Sequence, residues 1–265
     1  MKPQIPLLLG AVAGGAALYE TRARRGQQVL ERFAAAALET LLNAIEANDA
    51  ETGMHVRRVA ACSLIIADAA GLDERGKRSV ERIALFHDIG KIHEALFDIV
   101  HEPKRLTPAE RRAVATHPRR GAEVLAPIET FYPELPEGVL SHHERWDGKG
   151  YPRGLRGRRI PFAARIVTIA DTFDAVTHSR RYRGAAGLDR AIEVLECGRG
   201  TQFDPELVDL ALLPPVLKEM SQVQITDGGR DQARRGRREE TPDVSFRWRS
   251  ASLGSARVTA PSEIE

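Results

Sequence analysis

Apolar residues return every three or four positions along most of this chain, the period of helices that bury one face. Between 27 and 48 (QQVLERFAAAALETLLNAIEAN) they set Leu30, Phe33, Ala37, Leu41 and Ile45 near one stripe, which predicts a packing or dimerisation helix. From Glu51 onward the same spacing predicts helix after helix with short turns between them. Gly71 is suited to close one helix and Asp73 to cap the next. Thr107-Pro108-Ala109-Glu110 has the form of a capping box with proline at the first helical position. Pro161 opens a helix in which Ile166, Ile169, Phe173 and Val176 recur, and Leu188 to Cys197 and Pro205 to Leu213 supply two more. No alternating stretch of useful length suggests a strand, so the expected fold class is all-α. Composition agrees: 42% hydrophobic residues with only 5% aromatics makes a core of Ala, Leu, Ile and Val, a mixture that favours helix on helix.

The two ends read differently. Residues 5–19 are apolar and rich in Ala and Gly, preceded by Lys2 and followed by Arg22, Arg24 and Arg25. The segment is shorter than the ~20 residues of a spanning helix. A short membrane anchor, a plain N-terminal helix and a secretory signal all remain open. The arginines after the apolar run favour an anchor that keeps the following residues on the cytoplasmic side, and so a cytoplasmic chain tethered to the inner membrane face. After about Thr226 the composition shifts to Gly, Arg, Glu, Ser and Pro, which predicts a disordered tail. The expected organisation is therefore 1–26 as anchor or N-terminal helix, 27–48 as a packing or linker helix, 49–225 as the catalytic domain and 226–265 as tail.

Lys and Arg number 39 against 37 Asp and Glu, so the net charge is +2 and no concentrated basic surface argues for nucleic acid. The Arg-rich run 233–240 reads as solvated tail. Two cysteines, Cys62 and Cys197, are too few for a disulfide framework or thiolate metal site, and both read as small buried hydrophobes.

Histidine changes the picture. Five of the eight lie in short polar clusters with carboxylates: Glu51-Thr-Gly-Met-His55, His87-Asp88, His117-Pro118 and His142-His143, joined by Asp171 from the middle of an apolar helix. Taken singly each has a bland account: an exposed ion pair, a hydrogen-bonded core pair, a helix end, a surface pair. Taken together they do not, because an adjacent imidazole and carboxylate placed after Ile83-Ala-Leu-Phe86 must be neutralised by something. Five imidazoles and three carboxylates without a thiolate suit Fe, Mn, Co, Ni or Zn rather than Ca. Eight groups exceed what one ion needs, so at least two are implied. Two ions ~3.5–4 Å apart clamp a phosphodiester and lower the pKa of a bound water, which makes phosphate-ester hydrolysis the reaction that best uses such a set.

The order His55, His87-Asp88, Asp171 resembles the metal signature of the HD phosphohydrolase superfamily. His142-His-Glu-Arg-Trp-Asp-Gly-Lys-Gly-Tyr-Pro152 resembles the second signature, which marks the HD-GYP subgroup. His87-Asp-Ile-Gly-Lys91, Leu106-Thr-Pro108, Ala170-Asp-Thr-Phe-Asp-Ala175 and Gly200-Thr-Gln-Phe-Asp-Pro205 agree with it, so the likeness runs from about Asp49 to Leu213. The resemblance implies an HD-domain helical bundle with an additional HD-GYP helical portion. It implies that His55, His87, Asp88, His117, His142, His143 and Asp171 are metal ligands, with Asp88 bridging two ions. Glu51 matches the carboxylate of members that hold a third, so two or three divalent ions are expected, Fe or Mn first and Zn, Co or Ni as alternatives. Lys91 matches a lysine that contacts the scissile phosphate or assists the leaving oxygen. Arg180 and Arg183 match the basic pair that grips the second phosphate, and Tyr151, in a loop at the site mouth, is expected to bind substrate with them.

The implied activity is hydrolysis of cyclic di-GMP to pGpG, with GMP after a second cut, by a metal-bridging hydroxide. The cyclic dinucleotide is thus the expected substrate partner, and a homodimer or signalling partner protein stays open. Departures occur at 93–103, where His93-Glu-Ala95 replaces the family's Gly-Ile-Pro, and at Arg181, where proline is usual. They keep alive an HD-fold hydrolase of another nucleotide or phosphate ester, and a non-catalytic module that binds cyclic di-GMP. His93, His101 and His178 match no ligand position and read as ordinary polar residues.

Overall fold

The computed structural model describes residues 26, 28–47, 49–92, 107–178 and 185–223. The expected anchor, the tail, the 93–103 stretch and both Arg180 and Arg183 lie outside the described residues.

Among the described residues the chain is a succession of helices with no named strand, and a lone bridge pairs Arg199 with Phe203. Helix α1 covers 28–47, α2 Ala50–Ala69, α3 Glu74–Phe86, α4 Pro108–Val114, α5 His117–Leu125, α6 Glu134–Ser141, α7 Phe162–Thr177, α8 Ala185–Gly198, α9 Pro205–Ala211 and α10 Pro214–Ser221. A short 3₁₀ turn, Ile89–Ile92, follows α3. The starts are chemically set. Asp49 caps α2, Asp73 accepts from Gly76 N to cap α3, and Thr107 and Glu110 form the reciprocal capping box of α4. Gly71, just past the end of α2, takes φ +73°, a conformation open to glycine without steric cost.

Helix α2 is the hub, packed against α3, α7, α9 and α10, while α6 touches α3, α5 and α7. Val59, Ile66, Val80, Ile83, Val139, Ile166, Ile169, Leu195 and Val208 are buried in the shared core. The buried face of α1 is Ala34, Leu38, Leu42 and Ile45, whereas Leu30 and Phe33 are exposed. This corrects the expected stripe by one position: Ile45 is buried and Leu41 half-buried against the core, but Leu30, Phe33 and Ala37 are exposed, because a run of alanines weakens the signal that orients a helix and the neighbour decides its rotation. Cys62 is buried, and burial pushes its thiol up to about 12, but Cys197 is exposed, contrary to expectation. No helix among the described residues is long and apolar enough to cross a membrane.

Candidate functional site

Three helix ends and two helix middles converge on one buried polar centre. His87 follows the last residue of α3, His117 is the first residue of α5, and His142 follows the last residue of α6. His55 projects from the interior of α2 and Asp171 from that of α7. The side chains form two donor groups. His55, His87 and Asp171 make one; Asp88, His117, His142 and His143 make the other, the donor atoms within each lying within 4.8 Å of one another. Seven of the eight expected ligands are thereby brought together. Glu51 lies one helical turn before His55 at the exposed start of α2 and belongs to neither group.

Asp88 stands between the groups. Its Oδ2 is 3.4 Å from His87 Nε2, while its Oδ1 is 3.3 Å from His117 Nε2 and 3.9 Å from His142 Nε2. Lys91, one 3₁₀ turn on, donates to Asp88 Oδ2 at 2.6 Å. On the other side His55 Nε2 and His87 Nε2 approach Asp171 Oδ1 at 3.3 and 3.8 Å.

The imidazoles are aimed by what their outer nitrogens touch. Nδ1 of His87, His117 and His142 lies 2.7, 2.7 and 2.6 Å from the carbonyl oxygens of Ala84, Val114 and Val139. A carbonyl can only accept, so each Nδ1 carries the proton and each Nε2 turns a bare lone pair inward. These carbonyls are free because they belong to the last turns of helices. The inward nitrogens then face one another: His117 Nε2 and His142 Nε2 are 3.1 Å apart. His87 Nε2 and Asp88 Oδ1 are buried without a hydrogen-bond partner. Facing lone pairs and orphaned buried acceptors need a cation among them. The donor set of imidazole and carboxylate suits a borderline divalent metal, so the residues fit such an ion at each group.

Without an ion, neighbouring charges and burial set the protonation of these groups. Burial opposes charge on His55, but the hydrogen-bonding carboxylates of Asp171 and Asp174 outweigh it and raise its pKa to about 10. Burial and the neighbouring His117 push His143 down to about 4. Burial would raise Asp88, yet the Lys91 ammonium holds its carboxyl well below the usual range. Lys91 itself is raised despite its burial, through Asp88, and stays an ammonium.

The Gly148–Pro152 loop meets this centre through Tyr151, beside His143. Glu144, buried, accepts from the backbone of Arg153 at 2.7 Å and Leu155 at 2.9 Å, which folds the loop back on itself. Trp146 and Asp147 donate to the carbonyls of Gln202 and Thr201, tying it to the turn before α9. Gly150 is obligatory here, since a Cβ would lie 2.3 Å from Arg145 N. The Tyr151 ring packs on His143, centroids 5.0 Å apart, and burial with Asp88 nearby pushes its phenol up to about 12, so it remains neutral.

Sequence reasoning did not single out Asp174, Arg58, Thr168 or Glu144. Thr168 donates to the His142 carbonyl at 2.6 Å, and Asp174 is buried against His55 and Arg58. A signal for Asp174 existed: it follows Asp171 by three on an apolar helix, which puts both carboxylates on one face. His178, read as ordinary, sits half exposed with Nδ1 3.0 Å from Asp174 Oδ1.

Residues 39–207 match the family model described as the HD domain. A cyclic di-GMP phosphodiesterase response regulator of Xanthomonas campestris pv. campestris is 40% identical over 66% of this chain and 46% of its own length. A cyclic di-GMP phosphodiesterase of Thermotoga maritima is 36% identical over 78% of this chain and 56% of its own. The 3'3'-cGAMP-specific phosphodiesterase 2 of Vibrio cholerae is 37% identical over 65% and 33%. The chain thus spans about half or less of the length of these relatives. With a family match over more than half of its residues, and with the HD-GYP stretch folded against the His-Asp centre, the chain belongs to the HD domain family and to its HD-GYP subgroup.

Proposed function

We propose that this chain is a metal-dependent phosphodiesterase that opens cyclic di-GMP to pGpG. The observation that carries the reading is Asp88, whose two oxygens face different donor groups. In this reading His55, His87 and Asp171 hold one divalent ion, His117, His142 and His143 hold another, and Asp88 serves both. Glu51 would add a donor for a third. Imidazole and carboxylate donors admit Fe, Mn, Co, Ni or Zn, and the family resemblance puts iron or manganese first. Bound ions would supply Lewis-acid polarisation of a phosphoryl oxygen and a nucleophilic oxygen at neutral pH.

The residues of the chain do the rest. Lys91 offers a permanent ammonium beside Asp88, suited to the charge that builds on phosphoryl and leaving oxygens. Tyr151 and its loop exclude water from the imidazole side and offer a flat neutral ring to a base. Arg180 and Arg183 remain the candidates for gripping the second phosphate by their planar forks.

Relatives named for cyclic di-GMP and for 3'3'-cGAMP lie at similar identity, so the hybrid cyclic dinucleotide is the second substrate to test. Purified protein loaded with Mn²⁺ or Fe²⁺ is offered cyclic di-GMP, 3'3'-cGAMP and simple phosphate esters, with products separated by chromatography. Linear pGpG as the main product is expected, and Asp88→Ala should abolish both metal retention and turnover. Cleavage of simple esters alone, or full activity of the variant, would contradict the reading.

A further inference from the structure

Three of the inward-facing imidazoles are aimed by carbonyls of a helix end adjoining their own position, three residues back. His55 cannot be. It lies inside α2, where backbone carbonyls are already bonded along the helix. Its Nδ1 instead lies 2.8 Å from Asp174 Oδ2, a residue 119 positions away on α7. Asp174 is buried, with 1% of its surface exposed, and Arg58 grips both its oxygens: Nε donates to Oδ1 at 2.7 Å and a terminal nitrogen to Oδ2 at 3.0 Å. The pattern is reciprocal. His55 and Arg58 are three apart on α2, Asp171 and Asp174 three apart on α7, and the two helices meet through all four.

We propose that Asp174 is the positioning residue of the His55 donor group, holding the imidazole with Nε2 toward Asp171 and His87, and that it acts on this group alone. The proposal rests on the reading of the two groups as cation sites and is independent of which phosphodiester is cleaved. A carboxylate behind an imidazole fixes tautomer and ring orientation and increases ligand basicity. Arg58 keeps Asp174 from turning into the centre to become a ligand itself.

The test is a titration of full-length, chelator-stripped protein with Co²⁺ alone, followed by calorimetry and by the visible absorption of the bound ion. Asp174→Asn is expected to weaken one class of Co²⁺ site by ~10–100-fold and to leave the other at its wild-type affinity and spectrum. Equal weakening of both classes would mean a merely structural role and overturn the proposal, as would wild-type affinity throughout. Should Asp174→Asn not fold, Arg58→Gln replaces it: a weaker loss confined to the same class supports the proposal, and unchanged affinity overturns it. Wild-type protein that binds no Co²⁺ would remove the cation-site reading itself. Two-class binding without hydrolysis of cyclic dinucleotides would remove only the substrate reading.

Discussion

His117 and His142 turn their Nε2 atoms toward each other at 3.1 Å, each with its Nδ1 committed to a backbone carbonyl. Two lone pairs held that close repel unless a proton or a metal ion shares the space. The fold therefore keeps an arrangement that is costly when empty, and binding of a cation relieves it. Residues 25 positions apart reach it because α5 begins and α6 ends at the same point.

Metal-free protein should have its stability maximum near pH 6.5. His55 is raised in the folded state from 6.5 to about 10, so its contribution is full below 6.5 and is lost as pH rises toward 10. His143 is lowered to about 4, so the unfolded chain binds the extra proton between 6.5 and 4 and stability falls as pH drops through that window. Saturating Mn²⁺ should flatten the alkaline limb, since ions bind deprotonated ligands. Thermal melts from pH 4.5 to 10 with and without Mn²⁺ read this directly; an alkaline limb identical in both would refute it.

Lys91→Met should lower kcat by roughly 100- to 1,000-fold while the metal content stays at the wild-type level. The side chain lies 2.6 Å from Asp88 Oδ2, so its charge is at the centre without itself being a donor to an ion. Turnover measured beside elemental analysis separates the roles. Parallel loss of metal would make Lys91 part of the site's assembly instead.

Glu51→Ala tests the third ion. Glu51 is outside both donor groups yet a single turn from His55. The expected result is loss of one metal equivalent, with turnover reduced or the balance of pGpG to GMP altered. Unchanged stoichiometry would limit the centre to two ions.

Gly90→Ala should destabilise the protein by ~1–3 kcal/mol. A Cβ there would stand 2.1 Å from the His117 carbonyl oxygen and 2.7 Å from Gly121 N, both backbone atoms that no rotamer change can move. The 3₁₀ turn would have to retreat from α5, taking Lys91 with it. Urea unfolding gives the loss; an unshifted midpoint would mean that the contact is soft.

Much of the fold was legible along the chain because capping and periodicity are local. Asp73, Thr107 and Glu110 cap by reaching three residues along the chain, so their roles are written in their neighbours. Helix α1 was not, since its alanines fit several rotations and only contact with the core selects the face carrying Leu38 and Leu42. The donors were legible too, His87-Asp88 and His142-His143 standing out as polar pairs beside apolar runs.

What the sequence by itself determined is which groups can bind a cation and which helices carry them, because residue type and helical phase are properties of short segments. Only tertiary structure decided how they are aimed. That Asp88 faces both donor groups, that Asp174 backs His55 from 119 residues away, and that Tyr151 lies on His143 all depend on helix crossings, which no local pattern encodes.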